Sequence, residues 1–336
     1  MAGTKQSYWD CRALRARNDK NMIQFQLVEA TTKDKLIHQG IFFHPSHSSS
    51  VKTSKDKKAA DGSASLRKPK RALLWVHGLG GKFYSHIRLW EALAEKAKKA
   101  GIGFAIFNNR GHDLVAGIRK VDKRKRTGYS HIVAGTGYEG FNKSMFDIDA
   151  GISFLINQGF SEIILIGHST VANKVCYYAG SRKDPRVSAI VLASPVSDRY
   201  DPTIKPAEMR ERLAKMQQLI KNKKGDELQL GLHFFPITPK RFVSLFTPNS
   251  LEDQFDYGEA KPQLTHFKRI KKPLLVILGS ADEYLDRPAE VIMHVYTTHT
   301  RSKNYQAMLL PNVLHSFTDS ETKVASTIIN WIAKLP

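Results

Sequence analysis

The segment "IILIGHSTVANKVCYY" (163–178) runs a string of branched apolar residues into a helical pattern, with one serine, Ser169, at the bend. A sharp strand-to-helix turn of this kind can hold a serine in a strained conformation with its oxygen exposed, as in a nucleophile elbow of the form G-x-S-x-G. Gly167 supplies the small residue two places before the serine. Val171 stands where the second glycine belongs, and its branched side chain must find room against the neighbouring strand. Serine is also a favoured helix N-cap, and Thr170-Val171-Ala172 would then simply open a helix. This segment alone leaves both roles open.

A nucleophilic serine needs a base to take its proton, an acid to orient the base, and donors for the developing oxyanion. After the apolar run "PLLVILG" comes "SADEYLD". Asp282 falls at the end of that strand, with Glu283 and Asp286 as nearby competitors. "LLPNVLHSF" places His315 in the loop between the last strand and the last helix. The chain order Ser169, Asp282, His315 is the Ser, acid, His order of one group of such sites. The amide of Thr170 is the first expected oxyanion donor. The second is expected from the glycine-rich turn "HGLGG" (77–81), with Leu79 the first choice and Gly80 the second. His77 is expected to prop that turn. The turn lacks the Lys-Ser/Thr ending of a P-loop and the full dinucleotide fingerprint. Thirteen His residues include no H-E-x-x-H and no clustered Cys/His spacing, so neither a metal nor a cofactor is implied.

These residues need a scaffold that brings strand ends together. "MIQFQLVEATTKDKLIHQGIFF" from residue 22 shows two β-like runs around a polar turn, as in a hairpin. Beyond it, strand-like runs alternate with helical ones. "RALLWV", "FAIF", "EIILIG", "VSAIVLAS", "PLLVILG" and "YQAMLL" are strands, interleaved with amphipathic stretches of helical length. The alternation predicts an α/β fold with a mostly parallel sheet covered by helices on both faces. It divides the chain into an N-terminal segment, 1–21, and a core made of 22–197 and 269–336. Within the core, residues 46–70 read as a mobile basic insertion. Between the fourth and fifth of the parallel strands the rhythm fails, and 198–268 contains the polar helix "AEMRERLAKMQQLIKNKKG". A structureless loop of that length is rare in a compact domain, so a helical cap over one end of the sheet is expected.

The 336 residues are 41% hydrophobic, with 52 Lys and Arg against 31 Asp and Glu, a formal charge of +21. Two clusters, 52–71 and "RKVDKRKR" (119–126), carry much of the excess. Neither is interleaved with aromatic residues for base stacking, so they read as solvated loops and no nucleic-acid partner is expected. No apolar run reaches the ~20 residues of a membrane span. The first twenty residues lack the apolar segment of a secretory signal. The two cysteines, Cys11 and Cys176, lie far apart, and a reducing cytoplasm is the expected location.

From Leu73 onwards the four separated motifs together resemble the α/β-hydrolase superfamily. "GTGYEGFNKSMFDIDAGISFLINQGFSEIILIGHST" (135–170), with "GSADEY" and "NVLHSF", is more narrowly similar to its DUF1749 branch, whose elbow usually reads G-H-S-T-G and which includes a fungal siderophore esterase. The resemblance implies a serine hydrolase of carboxylic esters with Ser169, His315 and Asp282 as the triad. Val171 departs from the branch's glycine, which puts activity in question more than fold. Amide or thioester substrates share the same chemistry. The rival from another class is a non-catalytic α/β-hydrolase-fold protein that binds an anionic partner on its basic surface. The expected substrate is a small ester, aryl or anionic, with Tyr129, Tyr138 and Phe141 available to line its site.

Overall fold

The computed structural model describes residues 23–45, 70–200 and 204–336. The N-terminal segment, and all but the last residue of the expected basic insertion, lie outside the described residues. In chain order the elements are β1 (Gln26–Thr31), β2 (Ile37–Phe43), β3 (Arg71–Val76), α1 (Ile87–Lys99), β4 (Gly103–Phe107), β5 (Ala116–Val121), β6 (Tyr129–Ala134), α2 (Ser144–Asn157), β7 (Glu162–His168), α3 (Thr170–Ser181) and β8 (Val187–Ala193). They continue with α4 (Pro206–Lys221), α5 (Pro239–Phe246), β9 (Leu274–Gly279), α6 (Ala289–His299), β10 (Tyr305–Leu310) and α7 (Glu321–Ile332).

Eight strands form one sheet in the order β1-β2-β4-β3-β7-β8-β9-β10. β1 and β2 pair antiparallel, and β2 runs antiparallel to β4. The six strands from β4 to β10 are all parallel. Their continuous apolar runs follow from burial on two faces. In β3, Ala72, Leu74 and Val76 enter the core under α2, α3 and α6, while Leu73 and Trp75 enter the core under α1 and α7. β9 divides in the same way, with Leu274, Val276 and Leu278 on one face and Leu275 and Ile277 on the other. Such an all-apolar parallel sheet is stable only when helices cover both sides.

The topology also creates a crevice. β3 connects through α1 to β4 on one side, whereas β7 lies on its other side. The chains leaving β3 and β7 therefore diverge at the sheet's C-terminal edge, where open α/β sheets bind their ligands.

One element differs from expectation. The basic run 119–126 is not a solvated loop throughout, because β5 and β6 form an antiparallel hairpin with Ile118 opposite Ile132. Ile118 and Ala134 pack with Leu36 in a small cluster of their own. The adjacent Arg119 and Lys120, at the head of a basic run, hid this strand, whose apolar residues find a partner on only one face.

Between β8 and β9, α4 and α5 pack on each other around Met216, Phe235, Ile237, Phe242 and Phe246. The side chain of Leu79, from the turn after β3, packs into this same cluster.

Candidate active site

Ser169 lies between β7 and α3 with φ 60° and ψ −141°. A non-glycine residue there costs ~1–3 kcal/mol and persists only where the surroundings enforce it. It occupies the N-cap position, but its side chain makes no capping hydrogen bond. The hydroxyl instead meets His315 Nε2 at 2.7 Å. Gly167 is required by close approach: a Cβ there would stand 2.8 Å from the carbonyl oxygen of Val171 and 2.8 Å from Val175 Cγ2. Val171 itself is fully buried within the apolar core between the sheet and α3.

The three carboxylates of the loop after β9 have three different partners. Asp282 Oδ2 lies 2.7 Å from His315 Nδ1, and its Oδ1 accepts from the amide of Tyr284 at 3.0 Å. Glu283 accepts from the backbone amide of His315 at 3.0 Å. Asp286 pairs with Arg287 at 2.6 Å. Asp282 thus holds the ring, Glu283 holds the loop, and Asp286 serves neither.

His315 is fixed from behind as well. Its carbonyl accepts from Nε2 of His168 at 2.9 Å and from Ser194 Oγ at 3.3 Å. Burial pushes the His168 pKa down to about 3, so this ring is neutral, and the carbonyl partner assigns its proton to Nε2. The exposed Tyr284 ring stands edge-on to His315, with centroids 4.7 Å apart.

The turn after β3 closes over the serine. A Cβ on Gly78 would lie 3.2 Å from Ser169 Cβ, so glycine eases this close approach. His77 Nδ1 donates to the carbonyl of Gly78 at 3.1 Å, and its Nε2 accepts from the amide of Asn109 at 3.3 Å. Burial pushes the His77 pKa down to about 3, and the neutral ring braces the turn. Gly80, the second choice of oxyanion donor, has its amide engaged by Thr136 Oγ1 at 2.9 Å. The amides of Leu79 and Thr170 have no acceptor among the described residues.

On the other side of Ser169 lies a polar cluster that the sequence reading did not anticipate. Thr170 Oγ1 donates to Asp198 Oδ1 at 2.9 Å, and Asn173 Nδ2 donates to the second oxygen. One turn further along α3, the buried Lys174 pairs with the buried Glu139. Arg241 of α5 reaches Glu139 at 3.8 Å, pairs with Glu252, and donates to the carbonyl of Thr136 at 3.2 Å. Burial first, and then the nearby Glu252 carboxylate, push the Asp198 pKa up to about 6. A carboxylate just past the end of β8 carries the same positional signal that selected Asp282. Nothing in the sequence marks Arg241 or Glu252.

Of the aromatics expected to line the site, Phe141 is buried against Tyr177 of α3. Tyr129 lies at the start of β6 beside Arg119 and His131, as part of the hairpin. Tyr138 is half-buried in the turn after β6. Among the described residues, no three His, Cys, Asp or Glu side chains converge as a metal ion would need. Cys176 is buried, with no disulfide among the described residues, and Cys11 lies outside them.

A family model described as "Protein of unknown function (DUF1749)" matches residues 126–334. No curated protein sequence matches the chain. Solved structures that resemble it include an esterase of Pyrococcus furiosus, 16% identical, with a TM-score of 0.55 over 93% of this chain and 91% of that one. A thermostable carboxyl esterase from Bacillus coagulans is 15% identical, with a TM-score of 0.58 over 94% and 99% of the two chains. Est1E from Butyrivibrio proteoclasticus is 14% identical, with a TM-score of 0.55 over 92% and 98%. At these identities the likeness establishes the α/β-hydrolase fold.

Proposed function

Because the chain belongs to the DUF1749 family and has the α/β-hydrolase fold, we propose that it is a serine hydrolase cleaving carboxylic esters through an acyl-enzyme. The observation that carries this reading is the unbroken line from Asp282 through His315 to Ser169, with 2.7 Å at each step. Ser169 Oγ attacks the ester carbonyl carbon while His315 Nε2 takes its proton. The backbone amides of Leu79 and Thr170 donate to the resulting oxyanion. Collapse expels the alcohol, which leaves with the proton from His315. Water, deprotonated by the same nitrogen, then attacks the acyl-enzyme and releases the acid. Asp282 keeps the ring in the tautomer with Nε2 free to accept and stabilises the imidazolium.

Residues 198–268 act as a cap in this reading, and the side chain of Leu79 seated among the residues of α4 and α5 ties that cap to the oxyanion turn. A cytoplasmic setting belongs to this reading, in keeping with only two cysteines far apart in the sequence. Amide and thioester bonds would pass through the same steps. Val171, the residue that spoke for a non-catalytic binding protein, is packed in the core.

Labelling with a fluorophosphonate probe tests the proposal. The wild-type chain is expected to react at Ser169 and to hydrolyse p-nitrophenyl esters, and Ser169→Ala to do neither. Undiminished turnover by purified Ser169→Ala would overturn it.

A further inference from the structure

Most of the large apolar side chains that are exposed among the described residues lie on one end of the molecule, in segments that leave the C-terminal ends of the parallel strands. Tyr84 follows β3, Leu114 follows β4, Tyr284 follows β9 and Leu314 follows β10. Leu230 and Phe234, each 77% exposed, lie in the segment joining α4 to α5. These segments leave the same sheet edge from which Ser169 projects. Leu314 and Tyr284 flank His315, one by sequence and one by ring contact. Leu114 reaches within 3.4 Å of where a Gly80 Cβ would stand. The segment carrying Phe234 adjoins the 136–138 turn, where Pro236 O would lie 2.3 Å from a Gly137 Cβ and Thr238 donates to the Gly137 carbonyl at 2.9 Å. Exposed apolar groups gathered at the sheet edge that carries Ser169 are more than the scattered exposure of an ordinary surface.

The same end carries unpaired positive charge. The β5–β6 turn projects Lys123, Lys125 and Arg126 into solvent, and the β1–β2 turn beside it exposes Lys33 and Lys35. The two turns are joined by the hydrogen bond from the Val121 amide to the Lys35 carbonyl, 2.8 Å. None of these five cations has an ion-pair partner among the described residues. β2 runs antiparallel to β4 with Gly40 opposite Phe107, so its start, and with it the β1–β2 turn, stands at the sheet's C-terminal edge. Apolar groups that enter the acyl boundary, beside cations that stay at the headgroups, are the two ingredients of peripheral binding to anionic lipid.

We propose that this end docks on an anionic lipid surface, with the apolar rim dipping into it around Ser169 and the basic turns resting on its headgroups. This rests on the hydrolase reading only for what the surface delivers, an amphiphilic ester drawn from the lipid phase.

Flotation of the full Ser169→Ala chain with liposomes tests the docking apart from catalysis. Recovery with phosphatidylcholine vesicles doped with phosphatidylglycerol is expected to exceed recovery with pure phosphatidylcholine by about tenfold, and to fall as salt screens the charges. Leu230→Asp/Phe234→Asp should reduce recovery on the doped vesicles about tenfold with an unchanged melting temperature, because both side chains are solvent-exposed. Lys123→Glu/Lys125→Glu/Arg126→Glu should abolish the preference for phosphatidylglycerol. Equal recovery with and without vesicles, or binding indifferent to both variants, would overturn the inference. So would concentration-dependent dimerisation lost in the Leu230/Phe234 variant without any vesicle binding, since a second copy would then be the occupant. Any of these outcomes leaves the hydrolase reading standing, and hydrolysis by Ser169→Ala would leave the flotation result untouched.

Discussion

On the side of Ser169 that faces β9 and β10, Asp282 and His315 leave no buried polar atom without a partner among the described residues. On the side that faces α5, Glu139, Asn173, Arg241 and Glu252 each leave one without a hydrogen bond, those of Glu139 and Arg241 facing each other across 3.8 Å. The first cluster is held by two loops that leave adjacent, hydrogen-bonded strands, so the sheet sets its geometry directly. The second draws on α3, the turn after β6, α5 and the segment beyond it, and forms only when the β8–β9 insertion docks. Buried charges in such a cluster give little net stability, yet removing one partner is expensive because the other stays behind unpaired. The difference separates the cluster proposed to react from a contact that ties the insertion to α3.

The sharpest test of that division concerns rate. His315→Ala is expected to lower kcat for a p-nitrophenyl ester by about 10⁴-fold or more with the fold intact. Asp282→Asn should cost about 10³–10⁴-fold, and Glu283→Gln less than about threefold because its amide oxygen can still accept from the His315 backbone. Steady-state kinetics on the three purified variants decide the ranking. If Glu283→Gln proved the more damaging, the reactive cluster would be wrongly drawn.

The second cluster should instead be visible in stability. Lys174→Met strands Glu139 in the interior and is expected to destabilise the chain by about 3–5 kcal/mol in urea unfolding. Lys174→Met/Glu139→Leu should recover most of that loss. A single variant with wild-type stability would show that the charges are not locked against each other.

Val171 belongs to neither cluster and probes the ground between them. Val171→Gly removes a fully buried side chain and places glycine in the first turn of α3, for an expected loss of roughly 2–4 kcal/mol. The kcat is expected to stay level or fall. A clear rise in kcat at unchanged melting temperature would mean that valine strains the elbow and limits the first cluster.

The smallest effect belongs to Asp198. Its pKa in the folded chain, about 6, lies above the ordinary carboxylate value. Between about pH 4 and 6 the folded chain therefore holds this proton more tightly than the unfolded one, and the stability contributed here falls as pH rises through that window. Asp198→Asn removes the charge, still accepts from Thr170, and can donate to the free Oδ1 of Asn173 after a flip of that amide. The variant should melt higher than wild type at pH 8 by about 1–2 kcal/mol equivalent, with the gain vanishing near pH 4. A difference that does not vary with pH would dissociate Asp198 from the titration.

What the sequence by itself determined was whatever depends on local pattern. Runs such as "EIILIG" and "PLLVILG" could be stable only as strands buried on both faces, and the helices between them required parallel pairing. Ser169, Asp282 and His315 stood out because each lies shortly past the end of such a strand, by one, three and five residues, where the fold exposes side chains at a common edge. Asp282 was the first choice over Glu283 and Asp286 from its place at the strand end, but the sequence could not fix it, since neighbours in a turn differ only in direction, and direction is set by the contacts each one finds. Nor did the sequence show that Thr136, 56 residues away, occupies the Gly80 amide. β5 was missed because Arg119 and Lys120 belong to a longer basic run, and its apolar face is covered by Leu36 from a distant turn. The Glu139–Lys174–Arg241–Glu252 cluster leaves no periodic trace at all. Its members are charged residues that sequence statistics place on the surface, and only the docking of α5 over α3 took them out of water.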